Sequence, residues 1–95
     1  MRFMIQSSGK QDRTKEVFAE MLATIPAQEA SDAKRIKQGL QEGPAIVAAD
    51  RSKAWRVYNV ESEEQMLGLL KAEPLAKFSD FEITPLLNEE DNLPG

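Results

Sequence analysis

Three stretches, Ala45-Ile46-Val47-Ala48-Ala49, Asp50-Arg51-Ser52 and Ala54-Trp55-Arg56-Val57-Tyr58-Asn59-Val60, followed at once by Ser62-Glu63-Glu64-Gln65, decide the fold. The outer two are apolar, aromatic and β-branched over too few residues for a helix, and the turn residues between them predict an antiparallel hairpin. Ser62 and Gln65 stand at capping-box spacing, where hydroxyl and amide satisfy free backbone donors, and Met66, Leu69 and Leu70 continue behind them as a buried helical stripe. Pro74 cannot continue that helix, so it runs to about Ala72. Towards the C-terminus, Leu75-Ala76-Lys77 bridges to Phe78-Ser79-Asp80-Phe81-Glu82-Ile83-Thr84, a last strand with Phe81 and Ile83 on one face. Towards the N-terminus, Arg2-Phe3-Met4-Ile5-Gln6-Ser7 reads as a first strand and Ser8-Gly9-Lys10 as a loop. Asp12 is the expected N-cap of a helix in which Val17, Phe18, Met21, Leu22 and Ile25 recur at helical spacing. Pro26 lacks an amide hydrogen and predicts an end or a kink, after which Ala30, Ala33, Ile36 and Leu40 resume the pattern up to a stop at Gly43-Pro44.

Strand, kinked helix, strand, strand, helix, strand is the split βαβ order, a ferredoxin-like α+β fold with a four-stranded antiparallel sheet and both helices on one face. The other face must then meet solvent, a ligand or a second copy. Alternation is read as turning Met4, Arg56 and Tyr58 towards that open face and Phe3, Ile5, Trp55 and Val57 towards the helices. A homodimer that turns two open faces inward hides such a surface. Residues 1–87 form the expected domain, and 88–95, acidic and poor in groups to bury, a flexible tail.

The 95 residues contain no Cys and no His, which removes thiolate chemistry, the commonest general base and the commonest metal ligand. Acidic residues outnumber basic ones for a net charge of −4, and the basic ones are scattered, so a nucleic-acid footprint is not expected. No apolar run is long enough for a membrane span, and no helix has a basic polar face for lipid. A cytoplasmic protein is the resulting expectation. The glycines form no phosphate-cradling motif, Ser7-Ser8 has no His partner, and the acidic residues match no Ca²⁺ loop. No metal or cofactor is expected.

Leu40-Gln41-Glu42-Gly43, the run from Trp55 to Ser62, Leu70 to Leu75, and Phe81-Glu82-Ile83-Thr84-Pro85-Leu86 together resemble the muconolactone isomerase-like family. The resemblance implies small ferredoxin-like subunits paired as a dimeric α+β barrel, sometimes assembled into a higher homo-oligomer, and a pocket that handles a small organic acid or lactone by proton transfer. Those isomerases carry His near their C-terminal end, where this chain has Pro85-Leu86-Leu87-Asn88. No catalytic residue is therefore carried over.

The residues themselves offer a short set of candidates. In one continuous helix, Phe18, Leu22, Ile25, Glu29, Ala33, Ile36 and Leu40 share a face, which would set the Glu29 carboxylate among apolar groups as a proton shuttle. A break at Pro26 makes it a first-turn acid in water instead. Asp32 is the alternative base or its partner. Tyr58 offers a hydroxyl to an oxyanion or a contact to a dimer. Trp55 is a core anchor or the apolar wall of a substrate pocket. Arg56 either clamps a substrate carboxylate or pairs with Glu82 or Asp80 across strands. The resulting expectation is a cofactor-independent isomerase- or cyclase-like protein acting on a lactone, quinone or aromatic acid. A non-catalytic small-molecule-binding homodimer is its alternative.

Overall fold

The computed structural model describes residues 1–10 and 14–87. Alternation along the first strand, β1 (Arg2–Gly9), sets the two faces of the sheet, because Phe3 and Ile5 are buried while their neighbours are only partly covered. β1 lies centrally, flanked by β3 (Lys53–Asn59) and β4 (Ser79–Leu86), with the two-residue β2 (Ile46–Val47) outside β3, giving the order β2-β3-β1-β4. All pairings are antiparallel. With α1 (Lys15–Lys37) and α2 (Glu63–Lys71) this is the ferredoxin-like α+β arrangement the sequence predicts.

The register corrects the assignment of faces. Directly opposed residues of an antiparallel pair share a face, and Phe3 opposes Tyr58 while Ile5 opposes Arg56. Tyr58 and Arg56 therefore lie with Phe3 and Ile5 under the helices, and Trp55 and Val57 lie with Met4 and Gln6 on the uncovered face. The alternation within β3 is as expected; its phase relative to β1 is inverted, because the long-range ladder between the two strands and not local pattern fixes it. The core of Phe3, Ile5, Tyr58, Val60, Met66 and Leu70 is completed by Leu40, Leu69, Phe81 and Ile83 at its edge.

α1 runs without interruption through Pro26 and starts two residues after the expected cap, where the Thr14 hydroxyl accepts from the Val17 amide at 3.1 Å. Asp12 lies outside the described residues. The helix ends before Gly43-Pro44, because Gly39 takes a left-handed φ of 77° and the amides of Gly39 and Leu40 reach back to the carbonyls of Ile36 and Arg35 at 3.1 and 2.9 Å. This is the Schellman closure, and it drops Leu40 onto the core. α2 has the expected cap: Ser62 accepts from the Gln65 amide at 3.1 Å, and the Gln65 side chain takes the Glu61 amide at 2.8 Å. The tail expected over 88–95 lies outside the described residues. Among those described, no helix is long and apolar enough to cross a membrane.

Candidate functional site

α1 turns a polar row, not its apolar stripe, to the sheet. Gln28, Asp32 and Arg35 are buried, whereas Phe18, Leu22 and Ile36 remain 46, 41 and 37% exposed. Steps of four and three place 28, 32 and 35 on one line of the helix. They meet Arg56 and Tyr58 from β3 and Glu73 from the end of α2. Asp32 is the hub on the sheet side: its Oδ1 accepts from Arg56 Nε at 2.7 Å and Arg35 Nη2 at 2.5 Å, and its Oδ2 from Arg56 Nη2 at 3.0 Å. Glu73 is the second hub, accepting from the Tyr58 hydroxyl, from Gln28 Nε2 and from Arg35 Nη2, the last at 2.9 Å. Gln28 is fully used, since its amide nitrogen also reaches Asp32 at 3.3 Å and its oxygen accepts the Leu75 amide at 3.1 Å. Gln41 closes the far end by accepting from Arg35 Nε at 3.0 Å and donating to the Gly43 carbonyl at 3.1 Å.

Two carboxylates and two guanidinium groups thus compensate one another out of water, which is the condition for burying such charges. Burial works against ionisation of Asp32, but hydrogen bonds and charge from Arg56, with Arg35 and Gln28 behind, hold its carboxyl below the usual range. Burial and then the Glu73 charge and hydrogen bond push the Tyr58 phenol well above its ordinary value. Desolvation opposes the charge of Arg56, and the contacts with Asp32 more than restore it.

A cavity of about 390 Å³ opens beside this network, between α1 and the β3 end of the sheet. Its walls include Met21, Ile25, Ala33, Ile36, Val47 and Leu75, and Gln28, Asp32 and Arg56 give it a polar border. Arg56 spends Nε and Nη2 on Asp32, and no acceptor among the described residues takes its Nη1. Among the described residues no fully buried side-chain nitrogen or oxygen lacks a partner, so this Nη1 is not sealed from the surroundings. The site therefore presents an ionised carboxylate and an unspent guanidinium donor at the side of an apolar chamber.

The sequence candidates separate accordingly. Asp32 and Arg56 are brought into one ion pair, and Arg56 finds it on α1 and not at Asp80 or Glu82. Glu29 borders the cavity but is exposed, one helix position off the buried row. Tyr58 is wholly buried and commits its hydroxyl to Glu73, in place of the expected dimer contact. Trp55 is on the uncovered face, where its indole donates to Gln6 Oε1 at 3.0 Å, and it is neither core nor cavity wall. Gln28, Arg35 and Glu73 were not legible as site residues. The first two carried a signal in their spacing with Asp32, and Glu73, a single acid before Pro74, carried none. Among the described residues, no group of three or more acidic side chains could hold a metal ion.

No family model and no curated protein matches the chain. Among solved structures it is similar to 5-chloro-2-hydroxyhydroquinone dehydrochlorinase from Burkholderia phenoliruptrix AC1100, in complex with 2,5-dihydroxybenzoquinone. The TM-score is 0.70 at 15% identity over 97% of this chain and 99% of that one, a likeness of fold along the whole length.

Proposed function

We propose that this chain is a cofactor-independent, isomerase- or cyclase-like protein that takes a small oxygenated organic molecule, a lactone, quinone or aromatic acid, into the cavity beside α1 and moves a proton on it. One observation carries the reading: the apolar chamber is bordered by Asp32 and by the only nitrogen of Arg56 that no described residue engages. The hydroxyquinone dehydrochlorinase of like fold supports the ligand class. In this reading Asp32, ionised by its arginine neighbours, takes a proton from the carbon next to a substrate carbonyl. The electron pair moves to the carbonyl oxygen, which Arg56 Nη1 steadies. As Arg56 turns its charge to that oxygen, its hold on Asp32 weakens and the carboxylate becomes a stronger base. The resulting acid returns the proton to another carbon, so neither electrons nor a co-reactant are needed. Glu29 stays at the rim, and Tyr58 serves by fixing Glu73.

The alternative, a non-catalytic binder of the same molecules, is favoured by one specific fact: the lowered carboxyl of Asp32 makes it a weak base until a substrate oxygen engages Arg56. A second copy covering Met4, Trp55 and Val57 belongs to either version, and light scattering of a Trp55→Glu variant tests it by the loss of a dimer.

A thermal-shift panel of lactones, hydroxyquinones and aromatic acids, with Ala33→Phe as the blocked control, tests the binding. At a hundredfold excess over Kd a bound ligand adds about 2.7 kcal/mol, which is roughly 10 °C or more for a domain of this size. Ala33→Phe, on the exposed side of α1, fills the cavity without touching the ion network and abolishes the shift. No shift from any compound, or an undiminished shift in Ala33→Phe, overturns the reading. With a ligand in hand, Asp32→Asn separates the versions: unchanged turnover removes Asp32 from the chemistry.

A further inference from the structure

The turn between β2 and β3 holds the one non-glycine residue of positive φ among those described: Arg51, at φ 61°. Left-handed backbone at a long side chain is unfavourable, and this turn position ordinarily favours Gly or Asn. The surrounding hydrogen bonds impose it. The Arg51 amide donates to the Ala48 carbonyl at 2.9 Å, the Ala48 amide to the Lys53 carbonyl at 2.9 Å, and the Asp50 carboxylate accepts from the Ser52 amide at 3.0 Å. A strained arginine kept where glycine would relax the chain is a pointer to use. Arg51 also borders the cavity, and no described residue gives it an ion-pair partner.

The charged residues at the cavity border are Arg51, Lys53 and Arg56 with Glu29 and Asp32. Asp32 and Arg56 neutralise each other. Lys53 opposes Ser8 in the ladder, so its side chain leaves the sheet on the uncovered face. Arg51 is the remaining cation. It stands at the hairpin end of the chamber, and the three-residue step from Lys53 to Arg56 alone spans roughly 10 Å of strand.

We infer that Arg51 is a specificity-determining residue: it selects ligands that carry a carboxylate at the hairpin end while their carbonyl or hydroxyl oxygen meets Arg56. This rests on the cavity reading above and narrows it from oxygenated molecules in general to ring acids. The guanidinium fork suits a carboxylate, and its exposed position makes the attraction sensitive to salt.

The test titrates hydroxybenzoates, each paired with its uncharged amide, into the native chain and into Arg51→Gly, Arg51→Lys and, as a control on an exposed lysine of α2 outside the cavity, Lys71→Ala. The native chain binds acid over amide by about tenfold, the usual scale of one charge-assisted contact, and high salt erodes the preference. Arg51→Gly removes the preference while melting no lower than the native chain, since glycine accepts the positive φ. That separates recognition from folding. Arg51→Lys keeps part of the preference, and Lys71→Ala keeps it whole. Equal binding of acid and amide by the native chain, or a preference that survives in Arg51→Gly, overturns the inference and leaves the cavity reading standing. Failure of every acid, amide, lactone and quinone to bind removes the cavity reading, and the inference with it.

Discussion

Replacing Glu73 by Gln changes one atom in one of the two carboxylates at the centre of the buried network. Its two oxygens accept from three side chains, Tyr58, Gln28 and Arg35, and the residue is only 6% exposed. An amide keeps one acceptor oxygen and turns an NH₂ group towards a former donor, so a hydrogen bond becomes a donor–donor contact. The substitution also leaves two buried guanidinium groups facing Asp32 alone. Breaking a buried ion pair by removing one partner costs about 3–5 kcal/mol. Total stability for a domain of this length is roughly 5–14 kcal/mol, so Glu73→Gln removes a large share of it and lowers the midpoint of melting by about 12 °C or more. Trp55, the only tryptophan, reports urea unfolding by fluorescence. The exposed bridge between Lys77 and Glu20, at 2.8 Å, supplies the control, because Glu20→Gln costs below about 1 kcal/mol. A double-mutant cycle with Tyr58→Phe then isolates the contact between the two side chains, with a coupling of about 0.5–3 kcal/mol. A loss in Glu73→Gln no larger than that in Glu20→Gln refutes the view that this network is closed and charge-balanced.

Three further outcomes follow from the same geometry. Because the Asp32 carboxyl is lowered from 3.8 in the folded chain, it contributes stability that is fully present above that value and is lost as pH falls through the folded one; acid unfolding of Asp32→Asn is correspondingly shallower below pH 3.8, and an identical acid limb refutes the assignment. The single tyrosine, Tyr58, is held protonated above its ordinary value of 10.0, so the folded chain shows no tyrosinate absorbance as pH passes that point, and its contribution to stability is present below 10.0 and lost above it; a phenol titrating at its ordinary value in folded protein contradicts its burial against Glu73. Gly39→Ala, at φ 77° with nothing within 4 Å of an added Cβ, costs about 1–2 kcal/mol through backbone strain alone, measured by the same urea titration; a neutral result removes the Schellman closure as the cause of the helix end.

The order of elements and the cap of α2 are legible in the sequence, because each rests on interactions within a few residues. The hairpin turn, the cap at Ser62 and the stop before Pro74 are local chemistry, and they suffice for the ferredoxin-like arrangement. Pro26 does not end the helix: its missing amide removes one bond, and the turns on either side still place Ile25 at the cavity and Gln28 and Asp32 against the sheet. The stop was misplaced for a related reason, since Gly39 offers the left-handed conformation four residues before the more conspicuous Gly43-Pro44.

The site was legible only in its parts. Asp32 and Arg56 stood out as types of residue, but nothing in the chain says that they meet. Two stripes compete on α1, an apolar one through Phe18, Leu22 and Ile36 and a polar one through Gln28, Asp32 and Arg35. Hydrophobicity favours burying the first, and the helix buries the second. It can do so because β3 supplies Arg56 and Tyr58 and the end of α2 supplies Glu73, so every fully buried side-chain polar atom among the described residues finds a partner. Periodicity and capping along the chain set four strands, two helices and the ferredoxin-like order. Tertiary structure alone decided which face of β3 looks at the helices, because that phase is set by hydrogen-bonded ladders to residues some fifty positions away, and with it whether Tyr58 and Arg56 or Trp55 and Val57 meet the charges of α1.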